Sequence, residues 1–136
     1  MATLNLVKAA LAALEAVAGA AASIFNDTVC ANAAVAVKAS AGTLYAVRID
    51  NLANASPVYY KLWNVAQGSV TVGTTAPDEI IMVPASSIVL HEFKSGSPPV
   101  GGKAYSTAIT HACVTTAGTA GTTSPTSPVL VEVAYT

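Results

Sequence analysis

Charged residues are scarce in this sequence. Only 10% of its 136 residues are charged and 53% are hydrophobic, whereas about a quarter of an average soluble domain is charged. A lone domain of this size leaves much of its surface in water, so its surface must consist of Thr, Ser and Ala or must be covered by partners. The composition therefore favours a protein that packs against other subunits.

Basic residues are too few and too scattered to bind nucleic acid. The chain contains six Lys and Arg in total and has a formal net charge of −1, so no basic stripe is available to neutralise phosphates. We also expect no membrane partner, because the apolar stretch 9–22 is mostly alanine, which gains little in lipid, and has Glu15 in its middle.

Patterns that bind phosphate or metal are missing. The sequence has no GxGxxG, GxxxxGK[ST], HExxH or CxxC. The remaining metal candidates are two histidines and the carboxylates that neighbouring strands could bring to them, namely His91, Glu92, His111, Asp50 and Asp78. A single histidine in a strand is more often a hydrogen-bonded or surface side chain than a zinc ligand. We therefore predict no catalytic, metal or cofactor site, and no enzyme.

The two cysteines, Cys30 and Cys113, are too few for a disulfide framework. Both lie in apolar, strand-like stretches, where a free thiol usually behaves as a small buried hydrophobic group. We expect two buried thiols. Whether they pair stays open, because pairing requires that their strands be neighbours.

The first 25 residues have the composition of a helix. Ala, Leu, Lys and Glu dominate residues 3–25, and apolar residues recur at spacings of three and four on two faces. Such a helix should be buried on more than one side, either on its own domain or against sister helices and partners. We favour the second arrangement. The contact residues would then be Leu4, Val7, Leu11, Leu14, Val17 and Phe25.

From about residue 28 the pattern changes to short runs of Val, Ile, Tyr and Thr separated by Gly, Pro, Asn and Ser, as in sandwiches and barrels. The predicted strands are 28–39, 43–50, 57–64, 69–73, 79–83, 87–93, 103–116 and 129–135. Eight strands fit a jelly roll. We therefore predict a mainly β protein, a jelly-roll-like antiparallel β-sandwich over residues 27–136, preceded by an N-terminal α-helix in an arm formed by residues 1–26.

Alternation is clearest in the stretch LYAVRID, where Tyr45, Val47 and Ile49 are predicted to share one face. It recurs over residues 129–135, where Glu132 points away from the valines. A strand of this kind has one face in the core and one that is wet or interfacial.

Tyr59, Lys61 and Trp63 share one face of another predicted strand. Aromatic side chains with a polar tip are enriched at interfaces, so the three predict a surface patch for carbohydrate or protein. Core packing of Trp63 is the alternative. Two Gly- and Pro-rich segments, 94–102 and 115–128, predict loops, of which the second has no charge and must be held by contacts.

Three stretches together resemble small β-sandwich virion structural proteins of tailed phages. They are AGTLYAVRIDNLANASPVYYKLWN (41–64), VTVGTTAPDEIIMVPASS (70–87) and GKAYSTAITHACVTTAGTAG (102–121). In that group a GTLY-type strand precedes a YxKLW-type strand, a VGTTxPD turn, a Pro-Ala step and a late Ala/Thr-rich strand. The resemblance covers roughly residues 40–135 and contains no catalytic signature.

The resemblance implies a capsid decoration (cement) subunit, commonly a homotrimer that clamps the major capsid protein. Its expected location is the virion, assembled in the bacterial cytoplasm, and its expected partners are copies of itself and other virion proteins. One alternative is a neck, tail or host-attachment protein of the same particle. An alternative of another class is a carbohydrate-binding module that uses Trp63.

Overall fold

The computed structural model describes residues 23–94 and 101–136 and contains two antiparallel sheets. The strands are β1 Ser23–Cys30, β2 Val35–Lys38, β3 Gly42–Asp50, β4 Val58–Trp63, β5 Glu79–Val83, β6 Ile88–Glu92, β7 Lys103–Tyr105, β8 Ile109–Val114 and β9 Val129–Tyr135, with a 3-10 turn at Gln67–Ser69. The prediction of a mainly β protein with antiparallel sheets is confirmed.

The first sheet has the strand order β1-β9-β3-β6, and β7 pairs with β3 beside β6. The second sheet has the order β2-β8-β4-β5. Because the chain passes repeatedly from one sheet to the other, strands distant in sequence become neighbours, as β1 and β9 do. The core lies between the sheets, where inward residues of β9 (Val129, Val131, Val133) meet those of β4 and β8 (Tyr60, Leu62, Ile109, Cys113).

Local turns divide or replace three predicted strands. Residues 28–39 form two strands joined by a turn at 31–34, and 103–116 are interrupted between β7 and β8. The predicted strand 69–73 is wrong. Its Val and Thr favour strands, but the amides of Thr74 and Thr75 bond to the carbonyl oxygen of Thr71 instead, at 3.0 and 2.8 Å.

The face predicted for LYAVRID is correct for Val47 and Ile49 and wrong for Tyr45. A register shift between Leu44 and Ala46 in the pairing of β3 with β9 reverses the alternation there. Leu44 therefore joins the core in place of Tyr45.

The outer face of the first sheet was predicted to be wet or interfacial, and its charged residues at the centre of β3 and β9 are buried. Arg48 lies there beside Asp50 and Glu132, at 3.1 and 3.4 Å between guanidinium nitrogens and carboxylate oxygens. Arg48 and Glu132 are each only 5% exposed. Charges this well buried require partners of opposite sign. Arg48 of β3 and Glu132 of β9 are such partners for each other.

The predicted arm lies mostly outside the described residues, which begin at residue 23. Of the predicted contact residues, Leu4, Val7, Leu11, Leu14 and Val17 fall outside. The predicted end of the helix is wrong, because Ser23–Cys30 is a strand. Phe25 pairs with Val133 of β9 and packs on the core and is thus no helical contact residue.

Within the described residues, none of the helical segments has the length and apolar character needed to cross a membrane.

Candidate functional site

A chain of buried polar side chains crosses the core between the two sheets. Tyr60 of β4 and His111 of β8 lie on neighbouring strands, with Tyr60 Oη 3.0 Å from His111 Nδ1. On the other side of the ring, His111 Nε2 lies 3.1 Å from Asp27 Oδ2 on β1 of the opposite sheet. Tyr60 and His111 are completely buried and Asp27 is 7% exposed.

A bulge in β1 is what places two functional groups in this cluster. Side chains three residues apart on a regular strand point to opposite faces, which would put Asp27 and Cys30 on different sides. The register shifts between them, so that Asp27 pairs with Val131 and Cys30 with Val129, both of which face the core. Asp27 and Cys30 are therefore buried together, while Val29 between them is 66% exposed.

Hydrogen bonds hold the Asp27 carboxylate in its ionised form. The bond from His111 lowers its pKa most, and the backbone amide of Val29, 2.9 Å from Oδ1, lowers it further against the opposing effect of burial. An ionised carboxylate only accepts, so Nε2–H of His111 donates to Asp27. In the neutral imidazole Nδ1 then accepts from the hydroxyl of Tyr60.

The two cysteines meet between the sheets beside this network. The amide of Cys113 donates to the carbonyl of Ala31 at 2.8 Å, which ties β8 to the end of β1. The hydrogen bond between the two thiols raises the pKa of Cys30 well above its usual value, and burial raises it further. The expectation of two buried thiols is confirmed, and both are free; they are near enough for Cys113 to raise the pKa of Cys30.

Three of these groups form a set of potential metal ligands. The ligand atoms of Asp27, Cys30 and His111 all lie within 4.8 Å of one another, and they are the one such group among the residues the structure describes. From the sequence, His111 was expected to combine with Asp50 or Asp78, and Asp27 was missed. The available signal was the pair of short spacings, Asp-x-x-Cys at 27–30 and His-x-Cys at 111–113.

The predicted surface patch is wrong for two of its three residues. Tyr59, Lys61 and Trp63 do share a face of β4, but Lys61 and Trp63 are completely buried. Thr75, which precedes β5, and Thr119 and Gly121, which follow β8, contact these two side chains. The indole Nε1 of Trp63 donates to the carbonyl of Thr75 at 2.9 Å.

Lys61 fixes the threonine-rich segment onto β4. Its ammonium donates to the carbonyls of Thr119 and Gly121 at 3.1 and 3.0 Å, and burial lowers the pKa of Lys61. A side chain at Gly121 would collide with the carbonyl of Thr116, so only glycine allows this close approach. The prediction that contacts order this segment is confirmed, and the contacts come from its own domain.

Lys61→Met should therefore increase local opening of this segment, with little change in the free energy of unfolding of the whole domain. Methionine keeps the buried stem and removes both the charge and the donors, so two carbonyls lose their bonds while the cost of burying a charge disappears. We expect faster hydrogen exchange at the amide of Thr115, which bonds to the carbonyl of Thr123 at 2.9 Å. Lys103→Met, which removes a half-exposed ion pair with Glu79, is the control, and equal exchange in the two variants would contradict the role of Lys61.

Exposed apolar side chains collect on β5. Ile80 and Met82 are 38% and 53% exposed and lie opposite Lys61 and Tyr59 of β4. Among the described residues β5 pairs with β4 alone, and their register runs from Val58 to Leu62 without a shift. One edge of β5 is thus open, regular and apolar.

No family model and no curated protein matches the chain. A solved structure from a study of Bacillus endospore appendages, described as a novel family of disulfide-linked pili, aligns with 16% identity over 84% of this chain and 88% of that one, with a TM-score of 0.33. A likeness of this size does not define the fold or function of this chain.

Proposed function

We propose that the chain is a non-catalytic structural subunit that associates with copies of itself through β5. The observation that carries the proposal is the open edge of β5 with Ile80 and Met82 exposed beside it. Edge strands normally avoid association through bulges, lysines, prolines or very short length. Within Glu79–Val83 there is no lysine or proline, and its one charge, Glu79, bonds to Lys103.

Two of the other edge strands support this contrast, whereas β6 pairs with β3 without a register shift and differs from β5 in that it ends in the polar residues His91 and Glu92. Edge strands β1 and β2 both have register shifts, at Asp27/Cys30 and at Ala36/Lys38. Such bulges twist an edge away from a partner strand. A second copy is the occupant that fits β5, because the whole chain is poor in charge and each copy offers the same apolar strip to be covered.

The test replaces both exposed residues of β5 by lysine. Light scattering on the full chain during size-exclusion chromatography should give a multiple of the 13.6 kDa monomer, and Ile80→Lys/Met82→Lys should return it to the monomer. Leu52→Lys is the matched control, because Leu52 is 56% exposed but lies in a turn. The proposal is contradicted if the wild type is a monomer or if the doubly substituted protein remains oligomeric.

Within this class, the proposal extends to a capsid decoration (cement) protein of a tailed phage that acts as a homotrimer on the major capsid protein. The resemblance over residues 40–135 supports it, and the jelly-roll form of the sandwich and the N-terminal helix belong to the same proposal. Binding only to the assembled shell stabilises the shell by mass action. Particles that lack the protein should burst at a lower temperature than complete particles.

A neck, tail or host-attachment role is the alternative within the particle. Copy number separates the two, since hundreds of copies per particle indicate decoration and a dozen or fewer indicate the tail. The carbohydrate-binding alternative depended on an outward Trp63 and loses its support, because that side chain is completely buried.

A further inference from the structure

We propose that Asp27, Cys30 and His111 form a binding site for a divalent metal ion of the zinc class. Their ligand atoms lie within 4.8 Å of one another, and Oδ2 of Asp27 is 3.1 Å from Nε2 of His111. Zinc bonds of about 2.0–2.3 Å in a tetrahedral arrangement separate ligand atoms by about 3.5 Å. A small rearrangement of the cluster is therefore enough to enclose the ion, in which the Asp27–His111 distance of 3.1 Å lengthens slightly and the longer ligand distances shorten.

Charge balance favours metal binding in this apolar core. A carboxylate and a thiolate supply two negative charges and a neutral imidazole supplies none, so a divalent ion with Asp27, Cys30 and His111 has no net charge. A neutral centre avoids the high cost of burying an isolated charge. The mixed oxygen, sulfur and nitrogen set suits zinc, whereas Mg²⁺ and Ca²⁺ prefer oxygen ligands alone.

Surrounding groups already orient two of the ligands. Oδ1 of Asp27 accepts from the amide of Val29 at 2.9 Å, and Nδ1 of His111 lies 3.0 Å from Tyr60 Oη. Metal ligands are typically fixed by second hydrogen bonds of this kind. The thiol of Cys113 neighbours Cys30 but is not one of the three ligands that lie within 4.8 Å of one another, so the site does not require it.

Binding changes the positions of protons in a defined way. The S–H bond of Cys30 breaks, its sulfur bonds to the metal, and the proton leaves to solvent. The imidazole proton moves from Nε2 to Nδ1, which then donates to the oxygen of Tyr60. One proton is released per metal ion and no electron is transferred.

An ion can reach the cluster from the edge of the first sheet. Within residues 23–94 and 101–136, β1 is the last strand of that sheet, and Val29, next to Cys30, is 66% exposed. Opening this one strand is enough to admit the ion, and such local openings occur most readily at the margins of a fold.

The experiment titrates zinc into the reduced, chelator-treated full chain and follows heat and melting temperature, with cobalt(II) as a second probe. We expect one zinc per chain, a higher melting temperature and a sulfur-to-cobalt charge-transfer band. Cys30→Ser should abolish the band and weaken zinc binding by more than the roughly 10- to 100-fold effect typical of losing an outer hydrogen bond. Tyr60→Phe should show that smaller effect.

Two variants serve as controls, because Asp27 or His111 substitutions can fail to fold. Cys113→Ser removes the other buried thiol and His91→Asn the other histidine, and both should keep the cobalt band and bind zinc within about 10-fold of the wild type. The proposal is overturned if the reduced wild type binds no zinc, if Mg²⁺ binds equally well, or if Cys113→Ser loses binding as fully as Cys30→Ser, which would assign the site to the thiol pair.

Discussion

Replacement of Trp63 by alanine is expected to lower the free energy of unfolding by about 3–5 kcal/mol. The indole is completely buried, so truncation leaves a cavity that the surrounding sheet and loops can only partly fill. The loss also removes the Nε1 bond to the carbonyl of Thr75 at 2.9 Å. Urea unfolding monitored by circular dichroism measures the change, and an unaltered slope would show that the unfolded state is not involved.

Two controls isolate the contribution of burial. Tyr59→Ala on the same face of β4 should cost clearly less, because Tyr59 is only half-buried. Trp63→Phe keeps most of the apolar contact and loses the hydrogen bond, so a cost of about 1–2 kcal/mol is expected. If Trp63→Ala lowers the free energy of unfolding no more than Tyr59→Ala does, the burial of this indole contributes little to stability and the prediction is wrong.

Periodic hydrophobicity predicted the strands with regular pairing and failed where pairing is irregular. Residues 57–64, 79–83 and 87–93 were predicted as strands and contain β4, β5 and β6, whose pairings have no register shift. Where the register shifts, as between Leu44 and Ala46, alternation no longer reports which side chain faces the core. Bulges arise from pairing with a distant strand, so local sequence contains little sign of them.

The buried cluster of Asp27, Cys30 and His111 was even harder to predict from local sequence. Asp27 and His111 are 84 residues apart in the chain, and only the bulge in β1 turns Asp27 and Cys30 to the same side. The sequence indicated that Cys30 would be buried, because its neighbours are apolar. It could not indicate that an aspartate on the same strand would be buried as well, since carboxylates are rarely buried without a partner.

The prediction of a surface patch around Trp63 was wrong for a different reason. The sequence placed three side chains on one face of β4, and this is correct, but it could not show whether that face was covered. Two segments contact that face: the charge-free segment after β8, whose carbonyls accept from the Lys61 ammonium, and the segment before β5, where the carbonyl of Thr75 accepts from Trp63. Aromatic side chains with a polar tip predicted a surface patch, whereas Lys61 among them binds the carbonyls of a loop.

Asp27→Ala should destabilise the metal-free protein by about 3–5 kcal/mol at neutral pH, since it breaks a buried charged contact and leaves partners unpaired. The Nε2–H of His111 and the amide of Val29 both lose their acceptor. Asp27→Asn keeps the shape without the charge and should cost less. Chemical denaturation in the presence of a chelator makes the comparison independent of metal binding.

The stability that the Asp27 carboxylate contributes should also depend on pH, in a direction that its lowered pKa determines. The hydrogen bond from His111 is the main cause that holds the pKa of Asp27 below its ordinary value of 3.8. A group whose pKa is lower in the folded state stabilises the fold fully above its ordinary value and loses that contribution as the pH falls through its folded-state pKa. The gap in stability between wild type and Asp27→Asn should therefore be constant at neutral pH and close in acid. A gap that widens as the pH falls would mean that the carboxyl group is buried in its protonated form.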